Sequence, residues 1–309
     1  MNSPGKHGPS EGSPIAWIGD PWAGTGRWGL PGELAVPLDD RGLLLADGLF
    51  ETLRVEGGRA LLLTEHLQRW RRTGNLLGLA GPPPLPRLES LISQAVARSG
   101  AEAGALRLNM SRGGGGRGLD PPTPAMVASD AHARGGRFWL TYTPGPAQFT
   151  PVQLVLSRLE SRNPTSLLSR CKTFAYGSAI QARREAHRRG ADDALLLGTS
   201  GELCCGTASS LLVRRRDGWL TPPLSSGALP GVMRGRALAL GLAQERSLSA
   251  AELTAAPAAL LINSLGCRPI RRFEDTDLPG LSPAQAEAFW RALNAPDRQD
   301  QMQPCTEMR

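Results

Sequence analysis

The sequence predicts an α/β protein built as two lobes, and three observations support this fold class. The 309 residues are enough for two medium-sized domains with separate cores. Strand-like apolar runs alternate with segments of helical periodicity along most of the chain. Hydrophobic residues make up 40% and charged residues 20%, values typical of a folded globular protein. We therefore predict a small lobe over residues 16–143 and a larger lobe over residues 151–295.

Composition marks the ends of the chain and the connections. Residues 1–15 are rich in Gly, Pro and Ser, and residues 296–309 are polar, so we expect a disordered tail at each end. Residues 144–150, within TPGPAQFTP, are the predicted linker between the lobes. The polar, irregular segment at 119–136 is interpreted as an exposed insertion.

The elements of the small lobe follow from turns and periodicity. The apolar stretches at 48–55 and 60–63 flank Gly57 and Gly58, which predicts a β-hairpin. A helix is predicted over residues 64–79 with Thr64 as its N-cap, and a second over residues 87–98 after PPPLP. The runs ALRLNM and FWLTYT are predicted strands, and the glycine loop SRGGGGRG follows the first of them.

The larger lobe is predicted to open with the strand VQLVLS. A helix follows over residues 174–189 and ends at Gly190. Four further runs resemble strands: ALLL, SSLLVRR, GWLTPP and ALLINS. Another helix is expected with Pro230 in its first turn, and SPAQAEAFWRALN is predicted to be the last, amphipathic helix.

Charge, hydropathy and cysteine usage exclude several classes of protein. The opening segment has no apolar core of signal-peptide length, and no run approaches the roughly 18 apolar residues of a membrane span, so we expect a cytoplasmic protein without membrane contact. The net charge of +7 comes from scattered arginines without a nucleic-acid module, so no nucleic-acid partner is expected. Scattered cysteines without metal-ligand spacing predict reduced thiols and no metal site: Cys171, Cys204, Cys205, Cys267 and Cys305.

Lysine usage singles out one residue. The chain has only two lysines, Lys6 near its start and Lys172 in its middle, and uses arginine elsewhere. Arginine stays protonated, whereas an amine near a buried helix can have a lowered pKa and form a Schiff base with an aldehyde. Tyr176, four residues later, offers a phenol to the same site. The alternative, a solvated lysine without a chemical role, stays open at this point.

Two segments are candidates for binding a phosphate. LPGVMRGRAL predicts a strand-to-helix turn whose glycine and free backbone N–H groups suit an anion. Arg69, in TEHLQRW, carries a forked donor that matches phosphate oxygens. An ordinary capped helix and a solvated helix face are the respective alternatives. Phosphate donors, an amine and a phenol together fit pyridoxal phosphate as the cofactor.

The order of these motifs resembles the class IV pyridoxal-phosphate enzymes, which include branched-chain and D-amino-acid aminotransferases and 4-amino-4-deoxychorismate lyase. The resemblance is carried by DDRGLLLADGLFETLRV, EHLQRW, Lys172, GELCCGTASSLLV and TPPLSSGALPGVMR, between about residues 35 and 270. It implies a two-lobed fold like that of D-amino-acid aminotransferase, with a small α/β lobe and a larger, barrel-like lobe. It also implies a homodimer with active sites near the subunit interface.

The resemblance also implies roles for individual residues. Lys172 would form the Schiff base with the cofactor and move protons, and Arg69 would bind the cofactor phosphate. Val232 and Met233 would donate backbone N–H groups to that phosphate. The hydroxyl of Ser264 would join them, with Asn263 as the alternative because the segment INSLGCRP is one residue short of the family pattern.

Cys205 is a departure from the family pattern, because the family normally has a glutamate there that keeps the pyridine nitrogen protonated. A thiol donates weakly and carries little charge at its ordinary pKa, so the ring would be a poorer electron sink. Glu202 is three residues away and, on a strand, would point to the opposite face. Cys204, next to Cys205 on the same predicted strand, is expected to point the other way as a small core residue. Ser210 stands where asparagine is common, which is a milder change.

The glycine loop favours one activity within the family. SRGGGGRG resembles the loop of aminodeoxychorismate lyases, so Arg117 is predicted to pair with a substrate carboxylate, although Leu119 replaces a tyrosine of some lyases. Loss of pyruvate aromatises the substrate ring, so a lyase tolerates Cys205 better than an aminotransferase. We predict a lyase of folate biosynthesis that makes 4-aminobenzoate, with a branched-chain or D-amino-acid aminotransferase and a non-enzymatic cofactor-binding relative as alternatives. His66 and His187 are predicted to be surface residues.

Overall fold

The computed structural model describes residues 12–115, 118–121, 136–216 and 218–295, and its strands form two sheets. The first sheet contains six strands between residues 15 and 144, and the second contains nine between residues 152 and 277. Arg117, most of the predicted insertion at 119–136, and most or all of each predicted tail lie outside the described residues.

The first sheet is antiparallel throughout, in the order β2-β1-β6-β5-β3-β4. Its strands are β1 (Ile15–Asp20), β2 (Thr25–Gly29), β3 (Gly48–Glu56), β4 (Arg59–Ala60), β5 (Gly104–Ser111) and β6 (Arg137–Pro144). The predicted hairpin is confirmed as β3–β4, with φ values of 54° at Gly57 and 71° at Gly58 that favour glycine in a tight turn. The strand β4 is short because the chain enters a helix at Leu63.

Within the described residues, three helices accompany this sheet: α1 (Arg41–Leu45), α2 (Leu63–Leu77) and α3 (Leu85–Ser99). The predicted capping of α2 by Thr64 is wrong, because the N-cap is Leu62, with a φ of 52° and no side-chain hydrogen bond. Helix α3 begins two residues before the predicted start, since Pro84 is its N-cap and a proline fits in its first turn.

The two faces of β3 have different environments, and this places the first part of the functional site. Leu53 and Val55 join Trp70 of α2 in the hydrophobic core. Phe50 and Thr52, from the alternate positions, line a cavity. The helices therefore cover one face of the sheet and leave part of the other face open to a ligand.

The second sheet closes into a barrel. Its strands are β7 (Val152–Arg162), β8 (Asp193–Gly198), β9 (Leu203–Gly206), β10 (Ser210–Arg215), β11 (Gly218–Thr221), β12 (Ala243–Glu245), β13 (Ala259–Asn263), β14 (Gly266–Phe273) and β15 (Thr276–Asp277). The order β10-β13-β14-β7-β8-β9 returns to β10, where Ser210 lies opposite Cys205. Strand β7 is parallel to both β8 and β14.

Four helices accompany the barrel: α4 (Gly177–Arg188), α5 (Val232–Ala239), α6 (Ala250–Thr254) and α7 (Pro283–Asn294). Helix α4 is shorter than predicted at its start, because Tyr176 is its N-cap. The predicted first-turn position of Pro230 is wrong, since Gly231 is the N-cap of α5 and Pro230 precedes it. Ser282 caps the predicted last helix, α7, in a capping box.

Among the described residues, no helix is long and apolar enough to cross a membrane. The four cysteines described are free thiols: Cys171, Cys204, Cys205 and Cys267. Within the same part of the chain, no group of three or more His, Cys, Asp or Glu residues has an arrangement that could hold a metal ion.

Candidate active site

A cavity of about 810 Å³ is lined by residues of both sheets and contains most of the predicted site residues. Phe50 and Arg107 contribute from the first sheet. Arg69 comes from α2, and the second half of the chain contributes Lys172, Tyr176, Cys205, Val232, Met233 and Ser264. The fold therefore brings together residues that lie far apart in the sequence.

Lys172 is held in this cavity by its backbone as well as by its side chain. It lies between a 3₁₀ turn at Leu167–Arg170 and the start of α4, and its carbonyl accepts the backbone N–H of Phe50 at 3.0 Å. Its Nζ donates to the Tyr176 hydroxyl at 3.0 Å and lies 4.4 Å from the centre of the Phe50 ring. Burial lowers the pKa of Lys172, which favours the neutral, nucleophilic amine.

Arg69 is oriented by a buried carboxylate. Its Nε and Nη2 donate to Glu51 of β3 at 2.8 and 2.5 Å, and its Nη1 donates to the carbonyl of Pro230 at 3.3 Å. Burial alone would raise the pKa of Glu51, but the charge and hydrogen bonds of Arg69, joined by those of His66, lower it to about 2. Glu51 is therefore ionised at neutral pH and fixes the guanidinium at the cavity wall.

His66 is completely buried, so its predicted position on the surface is wrong. Its neighbours in the sequence are charged, but its face of α2 packs against β3. Its Nδ1 is 2.7 Å from Glu51, and its Nε2 is 3.0 Å from the hydroxyl of Ser264. Burial lowers the pKa of His66, and the adjacent Glu51 opposes this effect without overcoming it. His187, in contrast, is exposed as predicted.

Of the two residues considered for the phosphate contact, Asn263 is already occupied. Its amide nitrogen donates to the carbonyl of Ala208 and the hydroxyl of Ser209, and its oxygen accepts the N–H of Leu265. Both residues line the cavity, but the hydroxyl of Ser264 has a single described partner, His66, which links it to Glu51 and Arg69. This geometry favours Ser264.

The first turn of α5 also opens onto the cavity. Its N-cap, Gly231, has no side chain with which to cap the helix, and the first N–H groups of a helix have no partner inside it. A Cβ on Gly231 would lie 2.7 Å from the hydroxyl of Ser210, so a larger residue would crowd this wall. Val232 and Met233, the first two helical residues, are buried at the cavity wall, and the free N–H groups of such a first turn suit an anion.

Cys205 lines the cavity next to a β-bulge. Leu196 of β8 pairs with Cys205, whereas the next residue, Leu197, pairs with Leu203, so Cys204 is the extra residue. The two sulfur atoms are 3.7 Å apart, and the prediction that Cys204 points the opposite way from Cys205 is therefore wrong. The hydrogen bond from Cys204 lowers the pKa of the Cys205 thiol.

Glu202 does not lie on a strand as expected, because β9 begins one residue later. It is also absent from the described cavity wall, so it does not replace the glutamate missing at position 205. Ser210 lines the cavity directly opposite Cys205, where the barrel closes.

Sequence reasoning missed Arg107, a cation of the cavity on β5. Its guanidinium carbon lies 3.5 Å from the centre of the Phe50 ring, and its Nε donates to Asn109 at 2.7 Å. Burial lowers the pKa of Arg107, and no described carboxylate forms an ion pair with it. Its position between Leu106 and Leu108, both buried, was the available signal, because a strand directs its side chains to alternate faces.

Arg162, at the end of β7, is a second cation of this wall that sequence reasoning missed. Its Nε donates to the carbonyl of Gly227 at 3.1 Å, and its Nη2 donates to that of Ser169 at 3.4 Å. Within the described part of the chain its partners are thus carbonyl groups. The predicted substrate arginine, Arg117, lies outside the described residues, so Arg107 and Arg162 are the described arginines available for a substrate anion.

The polar groups of the cavity fit pyridoxal phosphate. Arg69, the first turn of α5 and Ser264 form a set of phosphate donors, Lys172 supplies an amine for an aldehyde, and Tyr176 supplies a phenol beside that amine. The exception is the end that would meet the pyridine nitrogen, where a thiol replaces a carboxylate.

The chain resembles known proteins over most of its length. The amino-transferase class IV model matches residues 48–273. A bifunctional aminodeoxychorismate lyase / D-amino acid transaminase of Mycobacterium tuberculosis is 33% identical over 188 residues. This match covers 59% of the chain and 62% of that relative, so it spans less than two thirds of the relative's length.

Two solved structures share the fold. A candidate 4-amino-4-deoxychorismate lyase of Legionella pneumophila superposes with a TM-score of 0.74 at 25% identity, over 84% of this chain and 95% of the other. The pyridoxal-phosphate-bound form of a hypothetical aminotransferase of Mycobacterium tuberculosis has a TM-score of 0.75 at 25% identity, over 92% of this chain and 100% of the other.

These structures confirm the predicted α/β fold with its barrel-like second half. The family predicted from the sequence is also confirmed, because residues 48–273 are more than half of the chain. The chain belongs to the amino-transferase class IV family.

Proposed function

We propose that this protein is an aminodeoxychorismate lyase that converts 4-amino-4-deoxychorismate into 4-aminobenzoate and pyruvate. The cofactor is pyridoxal phosphate, as predicted from the sequence and in agreement with the class IV family and its cofactor-bound relative. When bound, the cofactor supplies an aldehyde that condenses with amines and a ring that accepts electrons.

The observation that carries the proposal is the chemistry of the cavity wall. None of its described residues is an aspartate or a glutamate, whereas Arg107 and Arg162 have no carboxylate partner there. Such a wall fits an anionic substrate, and aminodeoxychorismate carries two carboxylates. The same wall provides only the Cys205 thiol, without a carboxylate to keep a pyridine nitrogen protonated. A reaction driven by aromatisation depends less on that protonation than amino transfer does.

The residues of the cavity can then be assigned roles. With the cofactor bound, Lys172 would hold its aldehyde, and the amine of Lys172, once free, would be placed to take a proton from the ring carbon of the substrate. Tyr176 keeps this amine in place through its 3.0 Å hydrogen bond. Arg69, Val232, Met233 and Ser264 bind the phosphate, and Arg107 binds a substrate carboxylate.

Amino transfer is the second candidate function. The relative from Mycobacterium tuberculosis is a bifunctional aminodeoxychorismate lyase / D-amino acid transaminase, which supports amino transfer as the alternative activity. Arg107 suits the dicarboxylates used as amino donors as well as it suits aminodeoxychorismate. The third possibility is a cofactor-binding protein without catalysis. It does not explain why Lys172 is buried and has a lowered pKa.

We also propose that the protein is a cytoplasmic homodimer. Helix α1 places three consecutive leucines at the surface, Leu43, Leu44 and Leu45, each 44% exposed or more. A short helix with an apolar exposed face indicates an interface, and the family resemblance indicates a second copy of this chain as the partner.

The test follows 4-aminobenzoate and pyruvate together after adding aminodeoxychorismate made in situ, and records the visible spectrum of the protein. We expect equal amounts of both products from the wild type, and loss of the products and of the lysine-bound cofactor band in Lys172→Ala. Lys6→Ala, which changes the only other lysine, is the matched control and should behave as the wild type. Pyruvate without 4-aminobenzoate, or amino transfer that exceeds the lyase rate, would overturn the proposal.

A further inference from the structure

A chain of hydrogen bonds links the protein interior to the cavity wall. Glu51, which is buried, is 2.7 Å from Nδ1 of His66, and Nε2 of the same ring is 3.0 Å from the hydroxyl of Ser264. The histidine is completely buried, whereas Ser264 lines the cavity. The role proposed above uses Ser264 as a phosphate donor but does not explain why a buried imidazole stands behind it.

Proton positions along this chain follow from the ionised state of Glu51. The carboxylate is paired with Arg69 and can only accept hydrogen bonds. Nδ1 of His66 must therefore carry a proton, and in the neutral imidazole Nε2 then carries a lone pair that can only accept a hydrogen bond. The hydroxyl of Ser264 then donates its only proton to Nε2.

This arrangement conflicts with the binding of a phosphate. With its proton directed at His66, the oxygen of Ser264 presents only lone pairs to the cavity, and a phosphate dianion also presents only acceptors. If the hydroxyl instead turned to the phosphate, the lone pair of Nε2 would face an oxygen lone pair at 3.0 Å. Either arrangement leaves two acceptors in contact, which is unfavourable unless one of them gains a proton.

We propose that binding of the cofactor phosphate is coupled to the uptake of one proton by His66, an inference that rests on the cofactor site proposed above. The proton comes from solvent and is bound at Nε2, and no other bond forms or breaks. Nε2–H then donates a hydrogen bond to the oxygen of Ser264, so the hydroxyl of Ser264 can rotate and donate its own hydrogen bond to the phosphate. His66 is thus a positioning residue: its protonation lets Ser264 present a hydrogen-bond donor, and not only lone pairs, to the phosphate.

The charges around His66 permit this change. Glu51 on β3 faces Nδ1 and stabilises the imidazolium, whereas burial and the charge of Arg69 on its own helix oppose it, as Lys172 before α4 does when it is protonated. Before a ligand binds, burial and these cations outweigh Glu51 and lower the pKa of His66. A bound phosphate adds negative charge on the open side, so the imidazolium is then flanked by anions on both sides.

The test uses pyridoxine 5′-phosphate, which lacks the aldehyde and so cannot condense with Lys172. Calorimetric titrations at pH 8, in two buffers with different ionisation heats, give the number of protons taken up per phosphate bound. At this pH the free phosphate is a dianion, since its second pKa is about 6. We expect the wild type to take up about one proton more than Ser264→Ala, which has no hydroxyl to redirect.

Two more variants and one spectrum complete the experiment. His66→Gln also should lose the uptake, whereas His187→Gln, which changes an exposed histidine, should keep it. Circular dichroism confirms that each variant is folded, and the ³¹P chemical shift of the bound probe should be that of a dianion. Equal uptake by wild type and Ser264→Ala, or a monoanionic ³¹P shift, would overturn this inference alone. Absence of binding to the wild type would overturn the proposed cofactor site as well as the inference.

Discussion

The substitution Glu51→Gln tests the network behind the phosphate donors most directly. Glu51 is buried and accepts two hydrogen bonds from Arg69 and one from His66. The amide of glutamine is almost the same size, so the change removes the charge and leaves the packing. We expect a large loss of stability, because Arg69 is then left as a buried cation without its anion.

The magnitude follows from the lowered pKa of Glu51. The difference between its usual value of 4.5 and about 2 corresponds to about 3 kcal/mol of stabilisation. Because the pKa is lower in the folded protein, this stabilisation is fully present above pH 4.5 and is lost as the pH falls towards about 2. The gap between wild type and Glu51→Gln should therefore be about 3 kcal/mol at pH 7 and should narrow through this window.

Guanidinium unfolding followed by tryptophan fluorescence measures this gap, because Trp70 lies in the adjacent core. Glu287→Gln is the control. Glu287 pairs with Arg291 on the surface of α7, where the two side chains are 39% and 55% exposed, so its substitution should change the free energy of unfolding by less than about 1 kcal/mol. Equal effects of the two substitutions, or a gap for Glu51→Gln that is independent of pH, would refute the electrostatic reasoning.

Three further predictions address the reaction and the assembly. Arg107→Gln should lower kcat/KM for aminodeoxychorismate by about 10- to 100-fold, because one hydrogen bond to a charged group is lost. Arg71→Gln, which changes an exposed arginine, is the control and should leave steady-state kinetics unchanged. Cys205→Glu should raise the rate of amino transfer from D-alanine, relative to the lyase rate, by about tenfold, which corresponds to about 1.4 kcal/mol in the activation barrier. An unchanged ratio of amino-transfer product to 4-aminobenzoate would show that the thiol does not lie at the pyridine nitrogen. Leu44→Glu should shift the mass measured by light scattering from dimer to monomer, and an unchanged mass would exclude α1 from the interface.

Much of the site could be predicted because its signals are local in the sequence. Lys172 stands out as an internal lysine in a chain that otherwise uses arginine, and the glycine before Val232 marks the start of a helix. The roles assigned to Arg69 and Ser264 came from the ordered motifs of the family. The structure places these residues around one cavity, as the family resemblance implied.

The residues that sequence reasoning misplaced depend on contacts between distant segments. His66 looks exposed beside Glu65, but its partners are 15 and 198 residues away. The direction of Cys204 depends on how β9 pairs with β8, since a bulge appears only when two strands are aligned. Periodicity within one segment carries neither piece of information.

The placement of charge around the cavity connects these observations. The carboxylates nearest the wall stand behind it: Glu51 orients Arg69, and Asp193 accepts a 2.6 Å hydrogen bond from the hydroxyl of Thr207. Groups that face the ligand are therefore donors and cations, while the anions that orient them are kept out of its reach. This arrangement favours binding of anions in the cavity, and we propose a phosphate near Arg69 and a carboxylate near Arg107. Because Cys205 offers a thiol where a carboxylate would keep a pyridine nitrogen protonated, the wall favours a reaction whose driving force lies in the substrate.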